Sequence, residues 1–180
     1  SYLVKDLMVP ISEYATVTVG TTLLDALLAL ERAQDAYTVS KYHHRVILVL
    51  DGDGRVAGKI SQLRALKAIQ PESELAEELE VMRRFKFSEN YLSEFRDMYR
   101  STGNTITKET LREAALKKVE DFMQTPTPGE FVFEDSRLDT AIHRLVAGGH
   151  MSLLVTREGR IVGVLRLSDV FAALFHGMMA

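Results

Sequence analysis

The sequence predicts an α/β (α+β) chain in which one β-α-β-β-α unit is used twice, with a helical segment between the copies. Two internal matches carry this reading. The stretch HMSLLVTREGRIVGVLRLSDV at 150–170 occurs in altered form as HRVILVLDGDGRVAGKISQLRA at 44–65, and VKDLM at 4–8 is matched by VEDFM at 119–123. Strand and helix periodicities then fall in the same order in both halves.

In each copy the opening is followed by a Pro-containing or polar loop (9–14; 124–130) and an extended stretch (16–19; 131–133). A helix start comes next. Thr22 with Asp25, and Ser136 with Asp139, each place a hydroxyl three residues before a carboxylate, the spacing that satisfies unpaired N–H groups at a helix N-terminus. Leu23, Leu27 and Leu30 match Leu138, Ile142 and Leu145 as apolar stripes at helical spacing. The caps fall one position out of register between the copies while the stripes align. Burial outweighs a shifted cap, so the stripes set the alignment.

Short β-branched runs at 46–50 and 56–60, and at 153–155 and 161–165, read as strands. The turns between them, Asp51-Gly52-Asp53-Gly54 and Arg157-Glu158-Gly159, supply the positive φ of a tight antiparallel hairpin. Gly58 and Gly163 stand inside strands, where glycine marks close backbone approach or a bulge, so their role is read as architectural. A helix is expected after each hairpin. Copy one carries an extra segment at 35–43. Its Tyr37, Tyr42 and the His43-His44 pair are read as a longer surface loop, because loops absorb insertions cheaply and adjacent histidines cannot face one metal from regular structure.

The segment 71–118 breaks the repeat. Leu75, Leu79 and Met82 form one helical stripe; Leu92, Phe95 and Tyr99 form another after a Ser88 cap; Thr107 caps a third helix through Leu111 and Ala115. Gly103 and Asn104 mark a loop before it. Acidic residues from Glu72 to Glu80 followed by Arg83-Arg84 suit a solvated helix whose charges oppose its macrodipole. Phe85, Phe87, Tyr91, Phe95 and Tyr99 are more aromatic surface than a helical insert needs for itself, so the insert is expected to pack on a repeat or on another subunit. The domains are therefore 1–70, 71–118 and 119–180.

With 180 residues, 46% of them hydrophobic, the chain can bury a core. A net charge of −3 gives no general attraction to phosphate backbones, so nucleic acid is not expected as a partner. The absence of cysteine rules out disulfides and thiolate metal sites and fits a cytoplasmic location. No apolar run approaches the ~20 residues of a membrane span, and the start shows no signal-peptide pattern. A start at Ser1 rather than Met leaves room for a longer parent protein.

A Val-x-Asp-x-Met opening, an extended segment, a helix, a hairpin and a Gly-containing strand running into Ser168-Asp169, met twice in one chain, resemble a tandem pair of CBS domains, also called a Bateman module. The resemblance covers 4–69 and 119–175. It implies two β-α-β-β-α repeats packed through their sheets about a pseudo-twofold axis, with a cleft on either side. It also implies binding of an adenine nucleotide (AMP, ADP or ATP) or an S-adenosyl compound there, regulation of a partner protein or fused domain, and homodimerisation.

The family's nucleotide site uses a Ser or Thr at the end of the second hairpin strand and an Asp three residues later. The second copy has Arg166-Leu167-Ser168-Asp169, with Asp169 in the ribose position but Arg166 in place of the hydroxyl. The first copy keeps the hydroxyl at Ser61 and has Arg64 in place of Asp. Asp169 reads equally as ribose ligand or as helix cap; Arg166 either reaches a phosphate or fills the cleft. By the same carry-over, Thr125 and the backbone near Val132 form an adenine wall for the second site, His150 and Ser152 enter its hairpin, and Lys59 lies on the matching strand of copy one.

Enzyme signatures are absent from the sequence. Asp51-Gly52-Asp53 resembles the start of a calcium loop, but Arg55 and Gln62 stand where oxygen ligands are needed. There is no His-Glu-x-x-His, Gly-x-Ser-x-Gly or phosphate loop, and His143 and His176 belong to no triad. No catalytic or metal-binding set is expected. Two functions remain: a ligand-sensing regulatory module, or a pair without ligand that serves as a dimerisation and protein-interaction module.

Overall fold

Continuous apolar runs such as Val46–Leu50 are what a strand needs when it is covered on both faces, and that demand sets the architecture. The structure is a computed structural model. It describes residues 2–36, 46–70, 73–102 and 106–180, the side chains of 36, 73–76 and 99–102 excepted. The extra loop with Tyr37, Tyr42, His43 and His44, the Gly103-Asn104 loop, and the side chains of Leu75 and Tyr99 lie outside the described residues.

The first half runs α1 (Val4–Leu7), β1 (Val9–Pro10), β2 (Thr16–Thr18), α2 (Leu23–Ala36), β3 (Val46–Leu50), β4 (Val56–Ser61) and α3 (Gln62–Ile69). The insert comprises α4 (Ser73–Arg84), α5 (Glu89–Thr102) and α6 (Lys108–Ala115). The second half runs β5 (Phe131–Phe133), α7 (Leu138–Gly148), β6 (Ser152–Arg157), β7 (Arg160–Arg166) and α8 (Leu167–Met179). One sheet has the order β2-β3-β4 and the other β1-β7-β6-β5. In both, the first strand of the unit lies parallel to the next and the hairpin is antiparallel.

Alternation along the strands sorts the core. Ile47 and Val49 turn toward the first repeat's helices with Leu23, Ala26 and Ile60, while Leu153, Val155 and Leu165 turn toward the second's with Leu138, Ala141 and Leu145. The residues between them meet at a seam. Leu48 packs there with Val9, Tyr14, Leu154, Ile161 and Val164, so the two sheets bury each other's faces. The hairpin turns meet as well, with the Ile161 N–H donating to the Gly54 carbonyl at 3.2 Å.

Turn chemistry follows the sequence. Asp51 Oδ1 accepts from the N–H groups of Asp53 (2.8 Å) and Arg55 (3.0 Å), which accounts for the calcium-like Asp-Gly-Asp as a side-chain-braced turn. Glu158 and Gly159 both have positive φ, 53° and 80°, the two-residue geometry of a tight hairpin. Thr22, Ser88 and Thr107 cap their helices through bonds from Asp25, Tyr91 and Thr110. Ser136 does not. Arg137 occupies the cap of α7 without a side-chain bond, and the Ser136 carbonyl instead accepts from the Val4 N–H at 2.9 Å.

That bond belongs to an exchange that organises the molecule. The opening of each copy docks on the other copy: Val4 is buried in the second repeat's core and Val119 in the first's. The Lys5 N–H donates to Glu134, and the Val119 N–H to Thr21. Strand β1 pairs antiparallel with β7, and Gln124 forms the matching bridge to Lys59 on β4. Gly58 and Gly163 make this possible. A Cβ at Gly163 would lie 2.6 Å from the Met8 sulfur and 2.7 Å from the Val9 carbonyl oxygen, and one at Gly58 would strike the Met123 thioether.

Within the insert, α6 packs on the first repeat through Ala114. Helices α4 and α5 form a hairpin with a small core of Leu79 and Leu92, backed by Met82 and Phe95. The insert's aromatics do not cover a repeat: Phe85 is 75% exposed, and Phe87 and Tyr91 stack on each other at 5.2 Å while remaining exposed, which leaves another subunit as the surface the sequence expects them to meet.

Gly163→Ala should destabilise the protein by about 1–3 kcal/mol in urea denaturation, since a backbone oxygen cannot step aside. Gly58→Ala should cost less, because the Met123 side chain can swing away. Equal, negligible costs at both positions would contradict the exchange.

Candidate functional site

Where β4 runs into α3 and where β7 runs into α8, a strand end, a helix N-terminus and the opening of the other repeat converge. These two places are the candidate clefts. Because the openings are exchanged, each cleft is composite, and the sequence-predicted residues divide between them differently from the sequence reading.

In the first cleft Ser61 is the N-cap of α3, its Oγ accepting from the Arg64 N–H at 3.1 Å. Lys59, two residues earlier on β4, exchanges both backbone bonds with Gln124 at 2.9 Å. This carries the adjoining, exposed Thr125 to the β4 edge beside Lys59. The Lys59 ammonium pairs across the seam with Glu130, which is only 5% exposed and which also accepts from the Thr127 N–H and hydroxyl. Burial pushes the Glu130 carboxyl up, but Lys59 and the Thr127 donors outweigh it and hold the group below its ordinary range. Arg64, half-buried, makes no ion pair among the described residues. On the helix side of the same strand, an apolar cavity of about 360 Å³ reaches from Leu27 and Leu30 to Ser61 and Gln62.

In the second cleft Arg166 is the N-cap residue of α8 and Asp169 lies in its first turn. The guanidinium grips the carboxylate through two bonds, Nε to Oδ2 at 2.7 Å and Nη2 to Oδ1 at 2.9 Å, with both side chains 16% exposed. Ser152 is the cross-strand partner of Arg166, and Ser168 is exposed beside it. Tyr14, from the first copy's opening, is buried close enough to feel the Arg166 charge. Burial raises its hydroxyl to about 12 against the lowering pull of Arg166, so it remains protonated at neutral pH.

The Val132 side chain is buried in the second repeat's core, facing the helices. His150 closes α7 by donating its N–H to Leu145, and its ring packs over Gly148 and toward Gly129. Glu130 and Tyr14 were missed by the sequence reading. The Thr127-x-x-Glu130 spacing of a capping box was the available signal for Glu130; nothing in the sequence marked Tyr14.

The CBS domain family model matches residues 4–71 and 119–176, and the chain belongs to that family. Solved structures agree on the fold. A protein of Mathanocaldococcus jannaschii is 20% identical at a TM-score of 0.61, with 97% of this chain covered; this chain spans 60% of that one. CBSX2 of Arabidopsis thaliana, solved in complex with AMP, is 18% identical at a TM-score of 0.59, covering 98% of each chain. The CbpB protein of Listeria monocytogenes, solved in complex with c-di-AMP, is 22% identical at 0.59, covering 98% of this chain and 97% of that one. Comparison with curated proteins gives no match. Among the described residues no helix is long and apolar enough to cross a membrane, and no group of acidic and histidine side chains converges to hold a metal ion.

Lys59→Met would leave Glu130 charged, buried and without its cation, at a cost of about 3 kcal/mol in urea denaturation. The lowered carboxyl makes the pair's contribution full above the ordinary value of 4.5 and lost as pH falls through the depressed folded value. Glu130→Gln should flatten that acid limb of the stability profile; an unchanged acid limb would contradict the pairing.

Proposed function

We propose that this CBS pair is a regulatory module, not a catalyst, that binds an adenine nucleotide in a cleft between its repeats and passes occupancy to a partner protein or fused domain. The observation that carries the reading is the composite cleft: a strand end and helix N-terminus of one repeat beside the opening segment of the other. A ligand seated there touches both repeats and so favours one relative arrangement of them, which is what a regulator requires. A helix N-terminus and basic side chains suit a phosphate. The AMP and c-di-AMP complexes of the solved relatives support an adenine nucleotide (AMP, ADP, ATP or a cyclic dinucleotide) ahead of an S-adenosyl compound. A cytoplasmic site of action would supply such ligands.

Homodimerisation belongs to the same proposal. Leu63 and Leu66 on α3, and Phe171, Phe175 and Met178 on α8, leave apolar stripes open to solvent at equivalent helices of the two repeats. Should the clefts bind nothing, those stripes favour the interaction-module reading.

A ligand at about 100 times its Kd adds about 2.7 kcal/mol of stability. AMP, ATP, c-di-AMP and S-adenosylmethionine, each at millimolar concentration, should therefore include at least one that raises the melting temperature by several degrees. A flat response to all four would leave the interaction module as the function.

A further inference from the structure

In each cleft a carboxylate largely withdrawn from water is already engaged by a cation of this chain. Asp169 gives one oxygen to Arg166 Nε and the other to Nη2, and Glu130 is held by Lys59 and by both donors of Thr127. A ribose diol is read when a carboxylate accepts from both hydroxyls, and Asp169, in the first turn of α8, has the two oxygens to do so. Its bidentate partner is the next side chain to offer the same two-donor fork, from three residues away on the same helix end. Arg166 thus takes both oxygens that a diol would need. The pair is mostly withdrawn from water, so a hydroxyl pair must displace a charge-assisted grip with two weaker, neutral donors. The first repeat offers no substitute, since Arg64 occupies the position that Asp169 holds in the second.

We propose that Arg166 is a built-in competitor for Asp169, so that this CBS pair recognises its nucleotide through base and phosphate and does not read the ribose 2′,3′-diol. The inference rests on the adenine-nucleotide reading above and narrows it. A nucleotide whose ribose hydroxyl is missing or esterified loses nothing here, whereas AMP gains nothing from its free diol. Arg166 is a specificity-determining residue in this account: it acts on the ligand by withholding Asp169.

Calorimetric titration of AMP against 2′-deoxy-AMP tests this on the wild-type protein, on Arg166→Ser and on Arg166→Gln. Arg166→Ser restores at the second cleft the hydroxyl that Ser61 provides at the first; Arg166→Gln keeps more of the packing if the shorter side chain impairs folding. Wild type should bind the two nucleotides within about twofold. Either Arg166 variant should bind AMP about tenfold more tightly than wild type and should now prefer AMP over 2′-deoxy-AMP by about tenfold, the worth of a hydrogen bond to a charged group. A tenfold wild-type preference for AMP that disappears in Asp169→Asn would overturn the proposal. So would folded Arg166 variants with no gain for AMP. If wild type binds neither nucleotide, the functional reading fails by itself, and the variants still decide: acquired AMP binding supports the competitor role and its absence refutes it.

Discussion

The exchange of opening segments is the constraint on which the rest of the structure depends. Val4 completes the hydrophobic core that Leu138, Leu153 and Leu165 begin, and Val119 does the same for Leu23, Ile47 and Ile60. Neither core closes with residues of its own repeat alone. The glycines at 58 and 163 are the sequence's concession to this arrangement, since only a residue without Cβ lets Met123 and Met8 lie over the sheet edges. The two sheets are thereby held face to face at a seam centred on Leu48, Leu154 and Val164, and the seam needs no covalent or metal link.

The same exchange makes the clefts joint property. Lys59 and Glu130 come from different repeats, as do Arg166 and Tyr14, so each cleft is built from both halves. Both clefts also keep a carboxylate internally paired, with Glu130 held ionised by Lys59 and Thr127 and Asp169 held by Arg166. Charges balanced in this way keep half-buried groups from being stranded, and they leave a ligand fewer carboxylate oxygens to exploit.

Much of this was legible in the sequence because local signals were strong. The hairpins followed from β-branched runs and their turns, the helices from matched leucine stripes, and Thr22, Ser88 and Thr107 from cap spacing. The exchange was not legible. Val4 and Val119 are equivalent, so either opening fits either core by composition, and only three-dimensional geometry assigns them. That degeneracy hides from the sequence that Thr125 adjoins the Gln124 bridge to Lys59 and that Val132 turns its side chain into the core, leaving only its backbone for a cleft. The Ser136 cap failed because the opening of the other half claims the Ser136 carbonyl. The spacing of Arg166 and Asp169 was visible, but whether the arginine turns inward to its neighbour or outward depends on packing about the α8 N-terminus. Aromatic density in the insert signalled surface to be covered without saying by what, and Phe85, Phe87 and Tyr91 stay exposed.

Residue-resolved hydrogen exchange on the intact chain tests the exchange of openings most directly. The amides of Val4 and Lys5, bonded to the carbonyls of Ser136 and Glu134, should exchange as slowly as those of β6, and the amides of Val119 and Gln124 as slowly as those of β3. Openings that exchange rapidly, as a frayed terminus and an unanchored linker do, while both sheets stay protected, would contradict the account.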